Sequence, residues 1–278
     1  MIVFMSTEKS LVSVVIPHYK NTSFTLQAVK SVLNQKSISI SQVQIIISID
    51  GPITVKDQNK VKSLSSNISL ITNHSHEGPG GNRQSGLSIA KGKYVVFLDS
   101  DDQLESEFLV RSISVLRPAK TFASVCFSKP IFESGFSLVD RTRLLPLMAI
   151  RDISLVAGHI FNHGNVFPSA FYLCQLSHMM FKASVLRDFE FNYDYRRGGE
   201  DWDLIAKTLR RGKIKIIPKK LLKFRYSPQS STSSKLNRRL KWQSYLLLNS
   251  RLSIKNKQGI FHQLFLFYIR LFKAKSYS

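Results

Sequence analysis

Four short apolar segments recur in the first hundred residues at intervals of roughly 25–30 residues. Each is apolar almost throughout, as expected for strands buried on both faces of a parallel sheet. Helical patterns occupy the stretches between them, and strands that alternate with helices form right-handed parallel α/β sheets. The sequence therefore predicts an α/β fold whose mostly parallel central sheet is flanked by helices. The predicted strands are Val12–Ile16, Val43–Ile49, Ile68–Thr72 and Tyr94–Leu98.

The other predicted elements are less regular. Between Pro118 and Tyr195, short apolar runs are broken by Pro and Gly, so we expect irregular strands and loops that form one wall of a cleft. Periodicity predicts a strand at Ile214–Ile217 and helices at residues 22–34, Asp57–Leu64, Asn82–Ala90 (after a glycine-rich turn at Gly78–Gly81), Leu104–Leu116 and Trp202–Arg211.

Charge is distributed unevenly along the 278 residues, whose formal net charge is +22. No Asp or Glu follows Asp203, whereas 19 of the 40 Lys and Arg residues do, which leaves 21 basic against 18 acidic side chains before it. A segment of one sign indicates an anionic partner such as nucleic acid, a membrane surface or an acidic glycan. With only two cysteines and no leader-like start, the chain is expected to fold in a reducing compartment.

The predicted strand that ends at Leu98 leads directly into Asp99, Asp101 and Asp102. Ligand sites of open α/β sheets lie beyond the carboxyl ends of such strands. Because clustered carboxylates repel one another, they favour a site for a divalent cation. The alternative is an acidic turn in which Asp102 caps a helix that begins near Leu104.

A second acidic group, Glu200 and Asp201, precedes the predicted helix that starts at Trp202. One carboxylate at this position can act as a general base toward a substrate hydroxyl. The alternative is structural, because an acid in the first turn of a helix also caps it and stabilises its dipole.

Five motifs in order resemble those of the family 2 glycosyltransferases, which have the GT-A fold. The resemblance covers about residues 11–226 and implies one glycosyltransferase domain over 1–226, with a nucleotide-binding half at about 11–102 and an acceptor half at about 103–226. The motifs are Val12–Pro17 with Tyr19, Asp50-Gly51-Pro52, Arg83 with Gly86, Asp99-Ser100-Asp101-Asp102, and Gly199–Leu204.

This resemblance implies an inverting transferase that moves a sugar from a nucleotide-diphosphate sugar, with UDP as the expected nucleotide. Asp201 matches the general base of the family, and Glu200 and Trp202 would support it. Asp101 and Asp102 match the residues that hold Mn²⁺ or Mg²⁺. The residues implied to bind the nucleotide sugar are Pro17, Tyr19, Asp50, Arg83, Asp99, Asp101 and Arg225.

Residues 227–278 form a basic, aromatic-rich extension that we expect to be helical. Its apolar segment Ile260–Phe272 is shorter than the ~20 residues needed to span a bilayer. Aromatic bulk flanked by Lys and Arg suits a helix that lies in an anionic membrane interface, although a helix that packs on the catalytic domain is the alternative. The resemblance implies a saccharide or lipid-linked saccharide acceptor, bacterial polysaccharide synthesis such as O-antigen or capsule assembly, and a cytoplasmic enzyme on the inner face of the membrane.

Three other functions fit the residues less well. A non-enzymatic basic module would spread its charge over a recognition surface, and the near-neutral first 203 residues argue against this, so no nucleic-acid partner is expected. A phosphohydrolase with an aspartate nucleophile resembles Asp99-Ser100-Asp101, but Gln103 stands where Thr or Val is typical. A sugar nucleotidyltransferase would need a glycine-rich basic loop after the first strand, and the Pro17–Asn21 segment is not one.

Overall fold

A computed structural model describes residues 11–72, 78–135, 138–166, 174–191 and 200–226. Its centre is a sheet of eight strands in the order β3-β2-β1-β4-β7-β6-β8-β5. The strands are β1 (Val12–His18), β2 (Val43–Ile49), β3 (Ile68–Thr72), β4 (Tyr94–Phe97), β5 (Gln103–Leu104), β6 (Thr121–Phe132), β7 (Met179–Lys182) and β8 (Lys213–Tyr226).

The first four strands form the parallel half of the sheet, as the sequence predicts. Strand β1 lies between β2 and β4, and Val14 of β1 pairs with Ile45 on one side and Val96 on the other. Strand β3 pairs in parallel with β2. Because all four strands run in the same direction, their carboxyl ends lie along one edge.

The other half of the sheet is mixed. Strand β7 is antiparallel to both β4 and β6, β6 runs parallel to β8, and the short β5 is antiparallel to β8. The register of β6 and β8 shifts where Pro218 and Lys219 interrupt the pairing, so that Ile217 pairs with Cys126 and Lys220 with Phe127. A proline lacks the N–H that a ladder requires, and a bulge accommodates it.

Helices cover both faces of the sheet. The helices are α1 (Thr22–Leu33), α2 (Val55–Lys62), α3 (Gly78–Ser88), α4 (Phe108–Val115), α5 (Leu138–Phe161), α6 (Ala183–Leu186) and α7 (Glu200–Arg211). One core cluster includes Val15 and Ile46 and packs against α3, α5 and α7, and the other includes Val14 and Ile45 and packs against α1 and α4.

Three expectations about the helices are wrong in detail. The glycine-rich turn at Gly78–Gly81 is the first turn of α3, so this helix begins four residues before the expected Asn82. Residue 104 belongs to β5, and the helix expected at Leu104 begins at Phe108. Helix α7 begins at Glu200 rather than Trp202.

The expectation of irregular structure between Pro118 and Tyr195 is also wrong. This part of the chain contains the 12-residue strand β6 and the 24-residue helix α5, which continues past Pro146. Gly158 does not end α5 either. A Cβ at this position would lie 2.6 Å from the carbonyl oxygen of Asn165, so glycine is needed here for close packing. Both residues resemble helix breakers in the sequence, yet α5 continues through them.

Within the described ranges, none of the helices combines the length and hydropathy that a membrane-spanning segment requires. The expected basic helix over 227–278 and the motif residue Gly199 lie outside the described residues.

Candidate active site

One side of the candidate site lies at the carboxyl ends of β1 and β2. The backbone N–H of Asp50 donates to the carbonyl of His18 at 3.0 Å, which ties the two strand ends together. Tyr19 follows β1 and is 58% exposed, so it is not part of the core. Its ring lies 3.4 Å from where a Cβ on Gly51 would stand, and Gly51 has φ +133°, a conformation that favours glycine. The Tyr19 ring and the buried Asp50 carboxylate thus lie on adjacent strand ends, beyond Pro17.

The acidic segment lies at the carboxyl end of β4, on the other side of β1. Asp99 is partly exposed, Asp101 is half-buried, and Asp102 is buried. Since neighbouring strands lie about 4.8 Å apart, the ends of β2 and β4 are separated by about 10 Å. Asp50 and the acidic segment are therefore spaced such that a nucleoside could extend from one to the other.

Burial and mutual repulsion raise the pKa values of two of these carboxyls. Burial, with a further contribution from Asp99, raises the pKa of Asp101 to about 6. Burial also raises the pKa of Asp102 well above its usual range, and the charges of Asp101 and Asp99 add to this effect. The ionised forms are therefore unstable together unless positive charge is supplied.

Asp102 does not cap a helix. Its Oδ1 accepts a hydrogen bond from the backbone N–H of Arg225 at 2.9 Å, and its Oδ2 is buried with no hydrogen-bond partner. An orphaned carboxylate oxygen beside a second carboxylate fits a divalent cation, which favours oxygen ligands. Among the described residues, no cluster of three or more His, Cys, Asp or Glu side chains could hold a metal. Mg²⁺ is commonly held by one or two carboxylates together with phosphate oxygens.

Arg83 connects the acidic segment to the start of α7. Its guanidinium donates to Asp99 Oδ1 and to Glu200 Oε1, each at 2.6 Å, and the side chain is 7% exposed. Burial lowers the pKa of Arg83, but the Asp99 and Glu200 carboxylates outweigh this and raise it. Gly86, one turn later, allows the close approach of α3 to the sheet, because a Cβ there would lie 2.3 Å from Val15 Cγ1.

Asp201 lies in the first turn of α7, next to Glu200. Its Oδ1 accepts a hydrogen bond from the backbone N–H of Trp202 at 2.9 Å, and its charge contributes to the field at Arg83. Trp202 is partly buried against the core. The arrangement therefore brings both acidic groups of the sequence to one arginine, with Glu200 buried and Asp201 more accessible.

Arg225 is buried beneath the acidic segment on β8. Its Nε donates to the carbonyl of Asp101 at 2.8 Å, and its other donors contact Glu133 and Gln27. The guanidinium carbon also lies 4.5 Å from the centroid of the Phe24 ring. In this structure Arg225 therefore fixes the backbone of the acidic segment.

Sequence reasoning missed the residues that hold these groups in place. Ser177 Oγ accepts a hydrogen bond from the backbone N–H of Asp99 at 3.0 Å, and Gln27 and Glu133 bind Arg225. Each belongs to an element far away in the sequence, so no local spacing indicates its role. For Ser177 the sequence offers one indication of such a role, a polar residue within a segment that is otherwise mostly apolar and buried.

Comparison with solved structures shows which fold this is. The chain superimposes on Staphylococcus aureus TarS in complex with UDP-GlcNAc with a TM-score of 0.66, at 16% identity, over 90% of this chain and 67% of that one. A mannosyltransferase from Pyrobaculum calidifontis, in complex with GDP-Man and Mn²⁺, gives a TM-score of 0.64 at 13% identity, over 96% and 76% of the two chains. The fold is that of the GT-A glycosyltransferases.

Sequence comparison then identifies the family. Residues 13–164 match the profile of Glycosyl transferase family 2, and the chain belongs to this family. An uncharacterized glycosyltransferase of Rickettsia conorii is 28% identical over 80% of this chain and 34% of its own length. An Escherichia coli UDP-Glc:alpha-D-GlcNAc-diphosphoundecaprenol beta-1,3-glucosyltransferase is 34% identical over 45% of this chain and 48% of its own. The chain thus spans about a third of the length of the Rickettsia relative.

Proposed function

We propose that this protein is an inverting, metal-dependent glycosyltransferase that moves a sugar from a nucleotide-diphosphate sugar, with UDP as the nucleotide, to a lipid-linked saccharide. The observation that carries the proposal is the Arg83 bridge, which joins the acidic segment at Asp99 to the start of α7 at Glu200. The segment proposed to bind the cation and Glu200, the neighbour of the proposed base Asp201, thus share one buried guanidinium.

The donor would bind along the edge formed by the ends of β2, β1 and β4. Tyr19 and Asp50 would contact the base, with Pro17 shaping the pocket, and the diphosphate would reach Asp99 and Asp101. Arg83 and Arg225 would set the field there, since each is a buried cation bound to the acidic segment. A GT-A relative whose solved complex contains Mn²⁺ is consistent with a divalent ion at this segment.

Asp101 and Asp102 would hold Mn²⁺ or Mg²⁺, as the raised pKa values and the orphaned Asp102 Oδ2 suggest. When bound, such an ion neutralises charge on a departing diphosphate. This would explain why the protein needs only one carboxylate for proton transfer, a general base for the acceptor hydroxyl.

Asp201, in its ionised form, would act as the general base. Its carboxylate would take the proton from the acceptor hydroxyl while the hydroxyl oxygen forms a bond to the anomeric carbon. The bond from that carbon to the phosphate oxygen breaks, and the nucleoside diphosphate leaves with the electron pair. Attack from the face opposite the leaving group inverts the anomeric configuration, and Glu200 and Trp202 would keep Asp201 in position.

The acceptor class is supported by relatives. The E. coli relative is named for a diphosphoundecaprenol substrate, and a Campylobacter jejuni glucosyltransferase, 30% identical over 34% of this chain and 30% of its own length, is named for a PP-undecaprenol substrate. Such an acceptor suits bacterial polysaccharide synthesis, including O-antigen or capsule. We propose that the protein works in the cytoplasm at the inner face of the membrane, held there by the basic residues of 227–278.

A donor screen tests this function. We expect one UDP-sugar to release UDP in the presence of a polyprenyl-diphosphate saccharide and Mn²⁺, and we expect EDTA to abolish the release. Product NMR should show the inverted anomer. Release of inorganic phosphate from phosphomonoesters, with no sugar transfer from any nucleotide sugar, would favour the phosphohydrolase instead and refute the proposal.

A further inference from the structure

The outer face of the C-terminal part of α5, residues 153–161, is mostly apolar. Among the described large apolar side chains that are exposed, four of seven belong to this helix: Ile153 (59%), Val156 (46%), Ile160 (62%) and Phe161 (77%). The spacing of Ile153, Val156 and Ile160 places them on one stripe, and Phe161 extends it. We call these four residues the α5 apolar face.

The opposite stripe of α5 already supplies the contacts with the domain. Arg151, Ser154, Leu155 and Gly158 are buried, and Gly158 packs closely against Asn165 and Ile216. A surface helix with one buried stripe normally carries charged residues on the other. Here no Lys, Arg, Asp or Glu occurs from residue 153 to residue 161. Packing within the described domain therefore does not explain the α5 apolar face.

One lysine lies near the C-terminal end of this face. Lys215 Nζ donates to the carbonyl of His163 at 2.6 Å, and His159 and His163 are exposed. At the other end, Arg151 is buried and pairs with Asp152 at 2.8 Å, and both lie within electrostatic reach of Tyr226. The chain continues from Tyr226 into 52 residues that contain ten Lys and Arg and no Asp or Glu.

We propose that the α5 apolar face inserts into the surface of an anionic lipid bilayer. The stripe from Ile153 to Phe161 is about 12 Å long, so it would lie in the interface rather than span the bilayer. Apolar burial and attraction between basic groups and anionic headgroups act together in such binding. The inference rests on the proposed function for its purpose, which is to hold the site at a lipid-linked acceptor.

Vesicle sedimentation tests the proposal on the full chain without any sugar donor. The probe is vesicles of phosphatidylcholine with about a quarter phosphatidylglycerol. The variant is the double substitution Ile160→Ser and Phe161→Ser. The matched control is Val55→Ser, since Val55 is 72% exposed on α2 and outside the stripe. We expect the double variant to lower the partition coefficient by about tenfold or more, and Val55→Ser to change it less than twofold.

An unchanged partition coefficient in the double variant would overturn the proposal. A second variant, Val156→Ser, should give a smaller loss in the same direction, so that misfolding of one variant cannot decide the result. Loss of vesicle binding with full transfer to a water-soluble acceptor would support the membrane role. Because binding is measured without a donor, absence of transferase activity would refute the proposed function and leave this test intact.

The α5 apolar face could instead be covered by residues 227–278 or by a second copy of the chain, and two measurements distinguish these cases from membrane binding. A photocrosslinking residue at position 156 should give adducts with phospholipid when vesicles are present. Crosslinks to peptides from residues 227–278 instead would show that the chain's own extension covers the face and would overturn the proposal. Light scattering that shows a dimer for the wild type and a monomer for the double variant would assign the face to a second copy and would also overturn it.

Discussion

Replacing Asp201 by asparagine is expected to lower the turnover number by about 10²–10⁴-fold, the usual loss when a general base is removed. Asparagine has nearly the same shape as aspartate and can still accept the hydrogen bond from the Trp202 backbone N–H. The fold and the binding of donor should therefore be preserved. The measurement is kcat with saturating donor and acceptor, together with the unfolding midpoint of both proteins.

Asp203→Asn is the matched control, because Asp203 also lies in the first turn of α7 and its carboxylate pairs with Lys207 at 2.8 Å. If the acids of this turn serve only the helix dipole, both variants should lose similar stability and similar activity. The proposed function predicts a large loss of kcat in Asp201→Asn alone. Equal activity of the two variants would exclude Asp201 as the base.

Replacing Arg83 by methionine is expected to lower the free energy of unfolding by about 3–5 kcal/mol. The guanidinium pairs with both Asp99 and Glu200, and Glu200 is as buried as Arg83 itself. Its removal leaves a buried carboxylate without compensation, which costs far more than the loss of an exposed ion pair. Urea denaturation followed by circular dichroism measures the difference.

Two further variants separate this effect from a general loss of charge. Arg111→Met breaks the exposed i,i+4 pair with Glu107 and should cost less than about 1 kcal/mol. Adding Glu200→Gln to Arg83→Met should restore part of the lost stability, since the uncompensated charge is then removed. A loss below about 1 kcal/mol in Arg83→Met would contradict the buried bridge.

The parallel half of the fold could be predicted from the sequence because its strands are short, mostly apolar runs, and β1, β2 and β4 are buried on both faces. Strands β2 and β3 have the predicted bounds, and β1 and β4 differ by two residues or fewer at their ends. The order β3-β2-β1-β4 is compatible with right-handed connections between parallel strands, which do not by themselves determine it. This half carries Tyr19, Asp50 and Asp99, and so their common edge was predictable as well.

The mixed half of the sheet and the helix α5 were not predictable, because tertiary packing overrides their local signals. Helix α5 passes Pro146 and uses Gly158 for close packing, although both residues are typical of loops. Strand β8 contains Pro218, and its register with β6 shifts at this residue. The hydrogen-bond partners of Arg225 could not be predicted either, because Gln27 and Glu133 lie 198 and 92 residues away from it in the chain.

Equilibrium binding of UDP tests the central claim most directly, since the claim assigns donor binding and proton removal to different carboxylates. Calorimetry in Mn²⁺ should show UDP binding by the wild type and by Asp201→Asn with similar affinity. The double variant Asp101→Asn and Asp102→Asn should bind at least about tenfold more weakly, a difference of about 1.4 kcal/mol. UDP binding that is equally strong in all three proteins and unaffected by EDTA would contradict the claim.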